Sequence, residues 1–259
     1  MRSMAFLTAA FKARLTYRSS AIFAAAGSII DICIRLALWV YLYRNSRQMT
    51  EYMILYTILS SVISLFYINR IAQLIGDKIT DGSITIDLMR PYPFIRAGYM
   101  QCLGELTADF LLKGLPVILI FSAALFRHAD RIVARQLPAA LLAVVMGHFL
   151  YMLIFTVIGM SAMVFLEIWA IQRIIRDIIK FLSGSFIPLS LFPDALFRVN
   201  QLLPFRFLFS FPLELMLNEW EASAMLENFG ILAVWLLFFT GLAGALERRL
   251  IRKLVIQGG

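Results

Sequence analysis

Residues 137–165 read LPAALLAVVMGHFLYMLIFTVIGMSAMVF and contain no Asp, Glu, Lys or Arg. The hydrocarbon core of a bilayer is ~30 Å thick, and an α-helix needs roughly 20 apolar residues to cross it. A solvent-exposed loop is not expected to contain an apolar run of this length. Residues 137–165 therefore predict a helix that spans a membrane.

Five further stretches have the same apolar character. They are predicted as spans at residues 20–43, 52–68, 100–126, 174–192 and 229–246. The spans at 100–126 and 174–192 are the most polar of the six, because ionisable residues lie in their N-terminal halves. With no long soluble stretch left over, residues 1–259 predict a single membrane domain of the all-α polytopic class with six transmembrane helices.

The overall composition agrees with lipid as the solvent of this chain. Of its residues, 61% are hydrophobic and 15% are charged, and the mean hydropathy is +0.82. Soluble globular domains have about 45–50% apolar and about 25% charged residues. A net charge of +8 would suggest nucleic acid in a soluble protein. Here the basic residues lie between apolar runs, so we expect membrane lipid and no nucleic acid as a partner.

The distribution of Lys and Arg predicts the orientation. The N-terminus, the second connection, the fourth connection together with the first two turns of the span that follows it, and the C-terminal tail carry 15 of these residues, whereas the other connections carry 7. Cytoplasmic loops are enriched in Lys and Arg. We therefore expect a multi-pass protein with both termini in the cytoplasm.

The N-terminal segment, residues 1–19, precedes the first span. Met4, Leu7, Phe11 and Leu15 fall on one stripe of a helix, with basic residues beside it. This pattern is typical of a helix that lies in the membrane interface. An N-terminal extension of the first span is the alternative.

Motifs of soluble enzymes are missing from the sequence. There is no GxxxxGK[ST], GxGxxG or HExxH, which are the phosphate, dinucleotide and zinc signatures. Cys33 and Cys102 form no metal-ligand pattern, and His128 and His148 are far apart. We predict no catalytic residue, no metal site and no cofactor bound by this chain.

Two groups of charged residues lie inside predicted spans, where charge is costly unless it is paired or hydrated. Asp31 and Arg35 are four residues apart, and Glu105, Asp109 and Lys113 repeat that spacing. Side chains four apart share a helix face and can pair. These residues therefore predict either a polar transport path or neutralised ion pairs.

The second connection, residues 70–97, is too long to be a simple linker. Gly82 can end one helix, Ser83 can cap the next, and Asp87 lies near that helix's positive end. Ile84 and Leu88 share a face of this short helix, which could dock into a groove on a partner. A strand and a helix resting on lipid are the alternatives.

The region after the fifth span is punctuated by Pro188, Pro193, Pro204 and Pro212 but stays apolar to Leu217. Irregular backbone at membrane depth is tolerated only against protein or a wet cavity. We therefore predict external re-entrant helices over residues 194–228 that cap a pore or a dimer interface. A long amphipathic surface loop is the alternative.

Two motifs resemble a known family. The first, in the second connection, comprises Gly82-Ser83-Ile84 and Asp87-Leu88-Met89-Arg90-Pro91. The second, around the fifth span, comprises Leu182-Ser183-Gly184, Ile187-Pro188-Leu189, Phe192-Pro193 and Leu203-Pro204-Phe205. Both motifs are similar to those of type-2 export permeases of bacterial ATP-binding-cassette (ABC) transporters. The resemblance covers essentially the whole chain.

The resemblance implies an exporter permease in the bacterial inner membrane, with two separate ATPase subunits that bind ATP and Mg and a second permease, identical or paralogous. It implies that residues 1–19 form a connecting helix and that the second connection forms the ATPase-coupling element. The residues implicated in coupling are Asp81, Gly82, Ser83, Ile84, Asp87, Leu88, Arg90 and Pro91. Pro188, Pro193, Pro204 and Phe205 belong to the expected external gate region.

Two other classes of function remain open from the sequence. One is an ion-coupled carrier that works alone, which inverted repeats with broken helices would favour. The other is a membrane scaffold without transport activity.

Overall fold

The computed structural model describes residues 2–16, 18–67, 70–89, 93–165 and 168–257. All regular elements in these ranges are helical. The twelve α-helices, in chain order, are α1 Arg2–Thr16, α2 Arg18–Leu42, α3 Arg47–Ser64, α4 Ile71–Thr80, α5 Ile84–Leu88, α6 Phe94–Asp109, α7 Leu115–Arg127, α8 Leu137–Met160, α9 Trp169–Leu182, α10 Asp194–Leu202, α11 Ser210–Leu217 and α12 Ala222–Gln257.

Five of the predicted spans correspond to helices that are long and apolar enough to cross a membrane. These helices cover Ile22–Leu42, Arg47–Thr80, Phe94–Arg127, Ala134–Met163 and Ala222–Arg252. In the third, a π-helical turn at Phe110–Gly114 joins α6 to α7 without a break.

The span predicted at 174–192 is not among these five helices. Helix α9 has 14 residues and, at about 1.5 Å per residue, extends only about 21 Å. After it, Gly184 adopts a φ of 81°, and Pro188 begins a short 3-10 turn at Leu189–Leu191. The count of six spans is therefore not confirmed.

Helix α8 lies at the centre of the bundle. In the most apolar 18-residue stretch of its span, 61% of the residues are buried. The corresponding shares are 11% for the span of α12 and 17% for the span of α2. It packs against α4, α11 and α12. The apolar segment at residues 137–165 is thus surrounded mainly by protein, whereas α2 and α12 lie at the periphery.

Helix α1 packs along α6. Residue 17 lies outside the described ranges, and α2 begins at Arg18. Gly104 permits the close contact, because a Cβ there would lie 2.2 Å from the Leu7 carbonyl oxygen. The N-terminal helix therefore docks on the helix predicted as the third span, and its position in the membrane interface stays a prediction.

Candidate functional site

The turn between α4 and α5 has a defined geometry. Gly82 adopts a φ of 76°, in the left-handed region where glycine costs least. The backbone N–H of Ser83 donates to the Asp81 carboxylate at 2.8 Å. Hydrogen bonds from the side chain and the backbone of Ser83 lower the pKa of Asp81. The predicted capping of α5 by the Ser83 side chain is wrong, because that side chain forms no cap hydrogen bond.

Asp87 is fixed by an ion pair within the connection. It is 8% exposed, and Lys78 of α4 donates to its carboxylate. From the sequence, the positive end of the helix dipole of α5 was the one favourable partner predicted for Asp87. The structure adds a cation on the preceding helix, so α4 and α5 are held together by charge.

The exposed face of α5 differs from the predicted one. Ile84 is only 1% exposed and packs into the protein's own core. Ile86 is 59% and Met89 is 88% exposed. The helical interpretation is confirmed and the strand alternative is wrong. Among the described side chains of this segment, Ile86 and Met89 form the accessible apolar surface. The Leu88 side chain, Arg90 and Pro91 lie outside what the structure describes.

The charged group on the third span forms a buried network with α1. Asp109 accepts hydrogen bonds from Arg14 at 2.8 and 3.2 Å and from Lys113 at 3.0 Å. The hydrogen bond to Asp109 raises the pKa of Arg14, and Glu105 adds a weaker electrostatic effect in the same direction. Spacing predicted the Asp109–Lys113 pair, whereas no local signal pointed to Arg14.

Asp31 and Arg35 form the predicted ion pair, with 2.8 Å between Oδ2 and Nη2. Arg35 also donates to the Ser61 hydroxyl at 3.0 Å and lies over the Phe186 ring at 5.6 Å. The arginine thus connects α2 to α3 and to the segment after α9.

The proline-rich segment is packed against protein. Pro188, Pro193 and Pro204 each stand at the start of a short helical element, and Phe205 packs against the main core. In α11, Phe211, Leu213 and Leu215 are fully buried. This packing satisfies the condition for irregular backbone at membrane depth. The re-entrant position itself stays a prediction.

Polar side chains of α3 and the turn that follows it hold this segment in place. The Tyr56 hydroxyl donates to the Gly184 carbonyl at 2.5 Å, and Ser60 donates to the Ser185 carbonyl at 2.6 Å. Tyr67 donates to the Leu208 carbonyl at 2.6 Å. The sequence analysis missed these residues. Their signal was a polar stripe at four-residue spacing within an apolar span.

A second missed feature is a buried charge pair in the same segment. Arg206 is 4% exposed, and its Nε atom has no hydrogen-bond partner. Ser210 donates to the Glu214 carboxylate. Burial raises the pKa of Glu214 and lowers that of Arg206, and each charge opposes the shift of the other.

Three cavities that share lining residues lie between α2, α3, α8 and α9, and together they are called the polar groove. We define the polar groove by the residues Arg35, Ser64, Tyr67, Tyr151, Arg176 and Lys180 that line it. Its central cavity has a volume of about 260 Å³. Ser64 is shared with a cavity beside Asp31 of about 330 Å³. Arg176 and Lys180 are shared with one beside Trp169 of about 460 Å³.

The chain was also compared with known proteins. The family described as "ABC-2 family transporter protein" matches residues 29–258. The chain belongs to this ABC-2 transporter family. No curated protein matches it.

Membership of the ABC-2 family confirms the resemblance found in the sequence. An ABC-2 protein of this kind is a membrane component, the permease, and is not itself the catalytic ATPase. Together with the long apolar helices, the match establishes an integral membrane protein. The matched range contains α5, the proline-rich segment and the six residues that define the polar groove.

Proposed function

We propose that this chain is the permease subunit of an ATP-driven exporter, powered by two ATPase subunits that bind ATP and Mg. A second permease, identical or paralogous, would complete the transport path. Membership of the ABC-2 family supports this proposal. The enrichment of Lys and Arg in the second connection supports a cytoplasmic position for α5.

The observation that carries the proposal is the exposed end of α5. Met89 and Ile86 present apolar surface away from the bundle, while Ile84 and Asp87 anchor the helix to the core and to Lys78. A force applied to Met89 would therefore reach α4, and through α4 the central helix α8. A coupling element requires this combination of an accessible tip and a fixed base.

The other parts of the chain have roles consistent with the same proposal. Helix α1, docked on α6, would serve as the connecting helix beside the ATPase. Pro188, Pro193, Pro204 and Phe205 would shape the external gate region. The polar groove would form the transport path, facing the second permease.

Changing Met89 to Glu tests the coupling surface. We expect M89E to weaken association with the ATPase by at least about tenfold, since central apolar contacts dominate the binding energy of an interface. The measurement is co-purification of the ATPase with tagged permease, followed by ATP-driven transport in vesicles. Leu202→Glu is the control, because Leu202 is 73% exposed on the predicted external side.

Equal retention of the ATPase by M89E and wild type would contradict the coupling assignment. A wild-type permease that transports without any ATPase would instead favour the ion-coupled carrier. One that neither retains an ATPase nor transports would favour the scaffold.

A further inference from the structure

Helix α9 divides its side chains between two kinds of surroundings. Ile174, Ile178 and Phe181 are exposed apolar residues on one side. Arg176 and Lys180, four residues apart, line the central cavity of the polar groove. The basic side of α9 therefore faces a space that a polar ligand can enter.

Among the described residues, this part of the groove has more cationic than anionic side chains. Within the described ranges, neither Arg176 nor Lys180 takes part in a salt bridge. The Nε atom of Arg176 is buried without a hydrogen-bond partner. Around the same space, Arg173 adds a further cation and Asp177 is the only acid lining the cavity beside it. Although the Arg176 side chain hydrogen-bonds Tyr151, its Nε atom stays an unsatisfied donor. The described lining beside α9 carries three cations and one carboxylate.

An aromatic wall stands beside these two cations. Tyr67 lies 5.0 Å from Phe209 and 5.3 Å from Tyr151, measured between ring centroids. Tyr151 continues the wall to Phe155 at 4.5 Å, and Arg176 lies over the Phe155 ring at 5.8 Å. Contacts between the rings fix their positions before any ligand arrives, which lowers the entropic cost of binding.

We propose that the polar groove binds an anionic amphiphile, a molecule with a phosphate or carboxylate group attached to an apolar body. Arg176 and Lys180 bind the anionic group, and the wall of Tyr67, Tyr151 and Phe209 contacts the apolar part beside it. That the bound molecule is the transported substrate rests on the proposed function, whereas its binding does not.

The charges of the groove exclude the opposite class of ligand. An aromatic wall can attract cations, but Arg176 already occupies the face of Phe155, and Lys180 would repel a second cation. A guanidinium group matches the fork of a phosphate or carboxylate and adds charge-assisted hydrogen bonds. Charge and geometry therefore favour an anion.

A binding experiment on the purified permease tests the site directly. The permease in nanodiscs of phosphatidylcholine is titrated with dodecyl phosphate, dodecylphosphocholine and inorganic phosphate. We expect dodecyl phosphate to bind at least about tenfold more tightly than either of the others, a difference of about 1.4 kcal/mol. The zwitterion tests the need for net negative charge, and inorganic phosphate tests the need for the apolar body.

The variants Arg176→Gln and Lys180→Gln should each weaken binding of dodecyl phosphate by at least about tenfold. Arg176→Lys keeps the positive charge and should therefore bind dodecyl phosphate more tightly than Arg176→Gln but less tightly than the wild type. Arg198→Gln is the matched control, because Arg198 is an exposed residue of α10 away from the groove. Lys180 is also exposed, so K180Q reports on binding even if R176Q fails to fold.

Unchanged binding in K180Q and a folded R176Q would overturn the proposal. If dodecylphosphocholine bound as tightly as dodecyl phosphate, the proposal would also be overturned. If inorganic phosphate bound as tightly as dodecyl phosphate, the site would bind simple anions and the proposed amphiphile would be wrong. None of these measurements uses the ATPase. Loss of ATPase association with intact binding would refute the exporter and leave the ligand class standing.

Discussion

Asp109 shows how one residue joins two helices. Its side chain is 4% exposed and lies within hydrogen-bond distance of Arg14 and Lys113. An isolated carboxylate at this depth would be very costly. Two cations compensate for it, and one of them belongs to α1.

We expect Asp109→Ala to destabilise the protein by about 3–5 kcal/mol, because breaking a buried ion pair leaves an uncompensated charge behind. The loss would appear as a lower unfolding midpoint in detergent and as faster hydrogen exchange over Arg2–Thr16. Asp130→Ala, at an exposed position in a turn, should change neither. Unaltered exchange in α1 of D109A would show that Asp109 does not anchor that helix.

Spacing along one helix predicted the Asp109–Lys113 and Asp31–Arg35 pairs, because residues four apart meet on a helix wherever it lies. Arg14 is 95 residues from Asp109 in the sequence. No local pattern encodes such a pair. The same reason explains why the lysine partner of Asp87 and the buried Arg206 were missed.

At the scale of elements, α3 fixes the place where α9 ends. After Leu182 the chain leaves helical geometry, and the carbonyls of Gly184 and Ser185 lose their helical partners. Tyr56 and Ser60 of α3 donate to these two oxygens. A helix can be interrupted among apolar neighbours only if its freed polar groups are satisfied in this way.

Removing these donors should loosen the segment after α9. We expect Tyr56→Phe and Ser60→Ala each to cost about 1–3 kcal/mol, since each leaves a buried acceptor unsatisfied. Thermal unfolding measures the loss, and hydrogen exchange over residues 183–192 shows where it acts. Tyr41→Phe serves as a control, because Tyr41 is 66% exposed. Equal exchange in all variants would argue against a role for α3 in fixing the break.

The length of α9 could not be read from hydropathy alone. Residues 174–192 are apolar enough on average to suggest a span, but the average hides two facts. One side of α9 is basic, and Ser183-Gly184 allows the chain to turn. Such a stretch can cross the membrane as one helix or break part-way. The outcome depends on whether neighbouring side chains can form hydrogen bonds with the backbone groups that a break leaves free.

At the scale of the whole molecule, the spans predict on which side each connection lies. The overall bias of Lys and Arg predicts that the α4–α5 connection lies in the cytoplasm, and the alternation of spans then predicts that the turn after α7 lies outside. The proposed coupling surface requires this arrangement.

Single cysteines introduced into a C33S/C102A background test this topology. We expect Met89→Cys to react with a membrane-impermeant maleimide only after the cells are permeabilised. Asp130→Cys should react in intact cells, because Asp130 is exposed in a connection that is predicted to be external. The native cysteines are removed because Cys33 is exposed. Reaction of M89C in intact cells would place α5 outside and refute the coupling proposal.

The sequence by itself determined the solvent of this protein and the position of most of the long apolar helices, and it favoured a short helix after Gly82. These properties follow from runs of apolar residues and from local backbone preferences, which act over a few helical turns. Tertiary structure alone decided which face of α5 is exposed, which cation compensates Asp109 and where α9 stops. Those outcomes depend on groups brought together from distant parts of the chain, and the cost of an unpaired charge or carbonyl in a low-dielectric interior selects among them.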